Sequence, residues 1–325
     1  MEYRKHGKII KGVGGLYTVY TEKGDDPLAA MAVPCRARGV FRHNHITPVV
    51  GDVVEIVYTE ASYELIDGVP TPKDDGRDIM ISEILPRKNS LIRPPVANID
   101  IMFVAMAAAA PVPVLETVDK MLSILEHSHI EPVIVIGKCE LDSENAERIK
   151  EIYTLAGYRA FVLSCVSGEG VDALYKYVRE ELYGKTAAFA GASGVGKSTL
   201  MNKLFPQLDL STSHISRKIE RGRHTTRHVE LFPISGTFEG GCIADTPGFS
   251  MLDFERFDFF TKDELPGTMR EFEEYIGRCR YTKCTHVKEE GCAIVEAVKS
   301  GRIAKSRHES FVSMFSVLKE KRSWK

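Results

Sequence analysis

What this chain lacks narrows its class. No apolar run approaches the ~20 residues of a membrane-crossing helix, so no membrane partner is expected. The N-terminus, Met1-Glu2-Tyr3-Arg4-Lys5, leads straight into an alternating strand pattern, with no apolar core of a signal peptide. There is no internal repeat and no low-complexity tract. A net charge of -2 over 325 residues excludes a chain that is polycationic throughout. Cysteines number only seven, and three of them cluster near one histidine. That suits a metal site in a reducing compartment better than a disulfide framework. A cytoplasmic monomer is expected.

What is present divides into three parts. Residues 1–90 carry about five short alternating runs, among them Leu16-Tyr17-Thr18-Val19-Tyr20 and Asp52-Val53-Val54-Glu55-Ile56-Val57-Tyr58. Glycines and charged turns separate them, which predicts a small OB-fold barrel. The stretch from Tyr63 to Asp78 reads as an exposed hairpin loop. Residues 91–255 alternate between strand and helix, predicting a parallel sheet with helices on both faces. Val118–His127, Ser143–Leu155 (with Ser143 as its cap) and Val171–Leu182 read as the helices. Residues 256–325 read as largely helical around the cysteine cluster, ending in a basic helix from Ser306 to Trp324. From Ile276 to Lys325 twelve Lys/Arg face five Asp/Glu, a local balance of +7. The fold class is therefore α/β, with a β-barrel before it and a helical metal-binding part after it.

Gly191-Ala192-Ser193-Gly194-Val195-Gly196-Lys197-Ser198-Thr199 fits the phosphate-binding pattern G-x-x-x-x-G-K-[ST]. It follows an apolar run, Ala187-Ala188-Phe189-Ala190, and opens a helix, which is the context the motif requires. The glycines let backbone N–H groups converge on phosphate oxygens, and the helix N-terminus adds partial positive charge. Lys197 is expected on the β- and γ-phosphates and Ser198 on Mg²⁺. About 50 residues on, Cys242-Ile243-Ala244-Asp245-Thr246-Pro247-Gly248 is an apolar strand ending in D-x-x-G. Asp245 is expected to reach Mg²⁺ through water, and Gly248 to sense the γ-phosphate. Between them, Glu220 to His228 has no core pattern and falls where a nucleotide switch belongs. Thr225 and Thr226 are both candidates for its Mg²⁺-completing hydroxyl.

Upstream of the phosphate loop, Gly137-Lys138-Cys139-Glu140 and Ser164-Cys165-Val166-Ser167 each follow a strand. They match N-K-x-D and S-A-K, the guanine-reading pair of GTPases, with Gly137 in place of Asn and Glu140 in place of Asp. Lys138 covers the base plane with its stem in this reading, and Glu140 accepts from the guanine N1–H and N2–H₂. An ATP-using P-loop enzyme, and a non-enzymatic RNA-binding factor with a degenerate nucleotide site, are the competing readings. Cys279, Cys284, His286 and Cys292 supply three thiolates and an imidazole, the set of a closed tetrahedral zinc site. The intervening residues are polar and basic, so a single structural Zn²⁺ is expected to organise the segment. The remaining cysteines, Cys35, Cys139, Cys165 and Cys242, read as small apolar residues of strands.

Together these residues resemble the ribosome small-subunit-dependent GTPase A family of circularly permuted GTPases. The guanine motifs at 137–140 and 164–167 precede the phosphate loop at 191–199 and the D-x-x-G at 245–248, whereas ordinary GTPases run the other way. Cys35-Arg36-Ala37-Arg38-Gly39-Val40-Phe41-Arg42 and Thr47-Pro48-Val49-Val50-Gly51-Asp52 are similar to the family too, as is the cysteine spacing. The resemblance implies an OB-fold, a permuted GTPase domain and a zinc-binding tail. It implies GTP hydrolysis to GDP, with Mg²⁺, stimulated by the 30S ribosomal subunit and its 16S rRNA late in maturation. Phe249 stands after Gly248, where a water-positioning glutamine is usual, so His224 is the catalytic candidate, and the resemblance points the same way. Arg36, Arg38, Phe41 and Arg42 are the RNA-binding candidates of the barrel, because OB-folds bind nucleic acid with basic and aromatic residues.

Overall fold

The computed structural model describes residues 2–39, 41, 46–66, 69–73, 78–92, 94–206, 229–234, 236–245 and 259–321. The chain forms two units, residues 1–100, 181–188 and 217–247 in the first and residues 101–180, 189–216 and 248–325 in the second.

In the first unit five strands close a barrel: β1 (Glu2–Val13), β2 (Leu16–Thr21), β3 (Ala32–Ala37), β4 (Val53–Thr59) and β7 (Met80–Ile84). Their order is β1-β2-β3-β7-β4, and β4 returns to β1. All these pairings are antiparallel except β3 with β7. Alternation supplies the core: Ile9, Val19, Val33, Val54, Ile56 and Ile81 are fully buried. β1 serves two partners. Its first half pairs with β4, from Glu2 opposite Thr59, and its second half with β2, as far as Val13 opposite Leu16. The two pairings overlap at Gly7 and Lys8, and a Cβ on Gly7 would stand 2.5 Å from a Val19 methyl and 2.6 Å from the Tyr20 carbonyl oxygen. Only glycine allows that close crossing.

The hairpin expected near residues 63–78 is β5 (Tyr63–Ile66) with β6 (Val69–Pro72). A second hairpin, β8 (Ser90–Ile92) with β9 (Pro95–Ala97), follows the barrel. The end of β1 also pairs with β14 (Glu230–Pro233), Lys11 opposite Glu230. β14 runs antiparallel to β15 (Cys242–Asp245), and β15 parallel to the start of β13 (Thr186–Ala190).

In the second unit β10 (Ile101–Ala107), β11 (Glu131–Gly137) and β12 (Arg159–Val162) are parallel neighbours. All seven residues of β10 are buried, as an apolar run covered on both faces requires. Helices α1 (Leu115–His127), α2 (Ser143–Leu155) and α3 (Val171–Glu181) follow the three strands in turn. The cap of α2 is Asp142, not Ser143: its carboxylate accepts from the Asn145 N–H at 2.9 Å. A carboxylate at this place also complements the helix dipole. α4 (Lys197–Leu204) opens at the phosphate loop. In the tail, short 3₁₀ turns at Leu265–Thr268 and Arg270–Phe272 precede α5 (Ala293–Lys299) and α6 (Lys305–Glu320). The cysteine-bearing stretch between the turns and α5 is irregular, inside an otherwise helical tail.

A buried ionic cluster seats α6 on α1. Arg307 is 1% exposed, donates to Asp119 Oδ1 at 2.6 Å and grips Glu271 through two bonds of 2.7 and 3.2 Å. Tyr153 donates its hydroxyl to the same Asp119 oxygen at 3.1 Å. The guanidinium serves two buried carboxylates, so removing it strands both charges away from water. Arg307→Ala is expected to lower unfolding stability by ~3–5 kcal/mol, read from urea denaturation at neutral pH. A loss below ~1 kcal/mol would show that the cluster is dispensable.

Candidate nucleotide and metal sites

The ends of the parallel strands bring the predicted nucleotide motifs together. β11 stops at Gly137, and Lys138 takes a left-handed conformation with φ 60° and ψ 37°. That turn sends the chain into a single 3₁₀ turn, Cys139–Leu141. The Lys138 ammonium donates to the carbonyl of Ala110, beyond β10, at 2.6 Å and to that of Gly194, in the phosphate loop, at 2.8 Å. After β12, the Ser164 hydroxyl accepts from the N–H groups of Val166 and Ser167 at 3.2 and 3.1 Å. This local turn holds Cys165 and Val166 at the rim, with Val166 84% exposed.

A cleft of ≈ 170 Å³ lies among these loops, lined by Gly137, Lys138, Glu140, Cys165, Val166, Val195, Gly196, Lys197 and Thr199. Ala105, Met106, Val135, Leu163 and Leu200 complete its walls. Sequence reading did not single out these five; their signal is that each belongs to, or borders, a buried apolar run. Its aliphatic walls suit a flat ring system, and Glu140, Lys138 and Lys197 give it one carboxylate and two ammonium groups. A Cβ on Gly137 would stand 3.6 Å from the Val195 carbonyl oxygen, so ordinary side chains fit where this chain has none.

The phosphate loop departs from β13 at Gly191, whose φ is 138° and whose missing Cβ would lie 2.1 Å from the Ala105 carbonyl oxygen. Gly194 and Gly196 also have positive φ. The loop therefore curls back over its own start. The Lys197 ammonium donates to the carbonyls of Gly191 and Ala192 at 2.7 and 2.8 Å, spanning the ring that phosphate oxygens occupy in such loops. Burial lowers the Lys197 pKa from its ordinary value. An anion in the ring would reverse that shift. Ser193 and Ser198 belong to the same loop and helix start. Asp245 is the last residue of β15, in register with Glu230. The Asp245 side chain, and Gly248, His224, Thr225, Thr226 and Arg42, lie outside the described residues.

Cys279, Cys284, His286 and Cys292 meet as expected, with all four ligand atoms within 4.8 Å of one another. The Cys279 and Cys292 sulfurs are 3.8 Å apart, and His286 Nδ1 is 3.5 and 3.6 Å from them. A tetrahedron with metal–sulfur arms of about 2.3 Å has edges of about 3.8 Å, so the cluster has the dimensions of a metal site. Glu289 was not foreseen, although an acid inside so basic a segment was the available signal. Its carboxylate accepts from the N–H groups of Thr285, Val287 and Lys288 at 2.9, 3.0 and 3.1 Å, and from the Thr285 hydroxyl. Partial burial works against the charged form, but these bonds bring its pKa down to about 2. They fix the backbone on both sides of His286, which itself has φ 61°.

Of the other cysteines, Cys35 and Cys242 are buried in strands, and burial pushes the Cys35 thiol up to about 12. Cys139 and Cys165 lie outside strands, in the two loops of the cleft. In the barrel, Arg36 and Arg38 are exposed, while Phe41 turns inward at 8% exposure.

A phosphate loop joined to two strand-end loops that precede it in the chain defines a circularly permuted P-loop GTPase. Residues 84–255 match the family model of the RsgA GTPase, and residues 6–65 that of the RsgA N-terminal domain. Over 98% of its length the chain is 39% identical to the small ribosomal subunit biogenesis GTPase RsgA of Caldanaerobacter subterraneus subsp. tengcongensis, covering 97% of that protein. Identity to the protein of the same name from Ruminiclostridium cellulolyticum is also 39%, over 97% of this chain and 94% of the relative. The crystal structure of YjeQ from Thermotoga maritima superposes with a TM-score of 0.76 at 31% identity, over 98% of this chain and all of that one. YloQ, described as a circularly permuted GTPase, gives 0.73 at 32%, over 98% and 96%. The chain belongs to the RsgA GTPase family, and it is a GTP hydrolase with the expected fold class.

Two variants test this geometry. Gly191→Ala is expected to abolish measurable binding of a fluorescent GDP analogue while leaving the fold intact by circular dichroism, because the loop must move off Ala105. Glu289→Ala is expected to weaken retention of a bound metal by about 10- to 100-fold, measured by competition with a chromophoric chelator.

Proposed function

We propose that this GTPase binds the small ribosomal subunit and hydrolyses GTP during its late maturation, with hydrolysis stimulated by the subunit. The observation that carries the nucleotide half of this reading is the cleft lined jointly by the base-side loops and the phosphate loop. The subunit half rests on the names of the relatives, which are small ribosomal subunit biogenesis GTPases.

In this reading Lys138 lies along the base and Glu140 accepts from its N1–H and N2–H₂. Gly137, Ser164, Cys165 and Val166 complete the base side. Residues 191–199 cradle the phosphates through backbone N–H groups, with Lys197 leaving its loop carbonyls for phosphate oxygens. Ser198 and, through water, Asp245 would hold Mg²⁺, which would supply positive charge to the phosphate oxygens. Gly248 senses the γ-phosphate, Thr225 or Thr226 completes the switch, and His224 positions the attacking water in place of a glutamine. One structural Zn²⁺ sits on Cys279, Cys284, His286 and Cys292. Arg36, Arg38, Phe41 and Arg42 contact 16S rRNA in this reading. The three parts 1–90, 91–255 and 256–325 then act as RNA-binding barrel, GTPase and zinc tail of a cytoplasmic monomer.

The test is single-turnover GTP hydrolysis with and without 30S subunits; equal rates would overturn the subunit half. His224→Ala is expected to leave GTP affinity near normal and cut the stimulated rate by at least ~10-fold, the low end for a positioned catalytic group. If the rate holds while subunit binding weakens, His224 is an RNA contact. Glu140→Ala is expected to weaken GTP binding and leave the weak binding of ATP unchanged, by fluorescence competition. A carboxylate that accepts from the guanine N1–H and N2–H₂ finds no donor at the corresponding two positions of adenine.

A further inference from the structure

The nucleotide cleft departs from N-K-x-D at both ends of the motif. Glu140 is longer by a methylene than the usual aspartate, and Gly137 has no side chain where an asparagine is usual. Both residues line the cleft. The backbone does not require the glycine. Gly137 ends β11 and is not among the glycines with positive φ. A Cβ on it would stand 3.6 Å from the Val195 carbonyl oxygen and 3.7 Å from that of Met106, which are ordinary contact distances. Gly191 is the contrast, with φ 138° and a missing Cβ that would lie 2.1 Å from a carbonyl oxygen. Gly191 is needed for the chain to pass, whereas Gly137 changes only what the cleft presents to its ligand.

Guanine offers donors at N1 and N2 and acceptors at O6 and N7. With Glu140 on N1–H and N2–H₂ and the sugar leading to residues 191–199, the N7 edge turns to the wall where Met106, Gly137 and Val195 meet. Side-chain donors for that edge are few among the described residues. The Lys138 ammonium is engaged by the carbonyls of Ala110 and Gly194 at 2.6 and 2.8 Å. Lys197 and Thr199 belong to the phosphate end of the cleft, and the Cys165 thiol is a weak donor. The other side chains of the lining, Glu140 apart, are apolar, and none is an amide. The longer reach of Glu140 also carries its carboxylate further into the cleft, which moves the base toward the space left by Gly137.

We infer that this cleft leaves guanine N7 unread, so that it takes guanine nucleotides altered at N7 as readily as unaltered ones; the inference rests on the guanine reading above. Residue 137 is then the position that decides whether N7 counts. A carboxamide there carries two N–H donors, enough for one of the neighbouring carbonyls and for N7. A site that donates to a ligand acceptor rejects the analogue lacking that acceptor, because its own donor is left unpaired. Glycine has no such donor to leave unpaired, so the chain gains nothing from N7 and loses nothing without it. Selection against adenine stays with Glu140, on the other edge of the ring.

The test uses the full chain with Mg²⁺ and a GDP analogue made fluorescent on its ribose, displaced by GDP or by 7-deaza-GDP, in which a C–H replaces N7. The unaltered chain is expected to hold the two competitors equally, within about 2-fold, less than one hydrogen bond yields. Gly137→Asn is expected to bring in a preference for GDP of about 3- to 10-fold, the yield of one neutral hydrogen bond. Gly137→Ala, which adds the Cβ without a donor, is expected to keep the ratio of the two affinities near one, and circular dichroism checks that both variants fold. A preference for GDP above about 2-fold in the unaltered chain overturns the inference, since N7 is then read by another group. A folded Gly137→Asn chain that still treats the competitors alike overturns it too, because residue 137 then does not face N7. Glu140→Ala separates this from the guanine reading and is expected to weaken both competitors by the same factor. If Glu140→Ala weakens neither, or if the unaltered chain binds neither, the guanine reading fails and the inference falls with it.

Discussion

One ammonium closes the nucleotide site. Lys138 Nζ reaches the carbonyls of Ala110 and Gly194, so a residue beyond β11 ties the segment after β10 to the phosphate loop after β13. The bond depends on the left-handed turn at Lys138, which doubles the chain back at the end of its strand. The loop after β11 and the phosphate loop are thereby joined by one side chain bound to two backbone carbonyls. The Lys197 ammonium does the same within the phosphate loop.

Such a tie explains why permuting the chain leaves the site whole. The loops meet because their strands are parallel and in register, Ala107 with Gly137 and Ile136 with Val162. Parallel strands carry their C-terminal ends to one edge, whichever strand the chain visits first. The permutation does change the destination of the chain after the D-x-x-G segment. Here it leaves for the cysteine-bearing tail, and Arg307 seats that tail on α1.

Much of this was legible in the sequence, for identifiable reasons. Alternation of apolar residues gave the barrel, and continuous apolar runs such as Ile101–Ala107 gave the parallel strands. The phosphate loop, the two base-side loops and the four metal ligands are each short in sequence and carry their own chemistry, so spacing was enough to find them. Long-range pairings were not legible. Nothing local in Asp119, Glu271 or Arg307 announces that they meet, since burial alone makes them partners. Phe41 read as an exposed platform because it stands among arginines, yet it is only 8% exposed. Ser143 read as a cap because serine is a good one, but Asp142 precedes it and carries the charge the helix end favours. Glu289 is one of two adjacent acids, beside Glu290, and its role is visible only when the backbone of Thr285–Lys288 curls around it.

The pairing of β1 with β14 sets a timetable for biosynthesis. Lys11 and Glu230, cross-strand neighbours joined at 3.0 Å, are 219 residues apart in the chain. At roughly 5–20 residues per second, the ribosome needs about ten to forty seconds to deliver the second after the first. The barrel can close well before then, because all five of its strands lie in the first 84 residues. During that interval the far end of β1 offers an unpaired strand edge, the kind of surface on which chains aggregate. Lys11 stands on that edge, a charge of the kind that blunts edge-to-edge pairing, until Glu230 arrives to bind it.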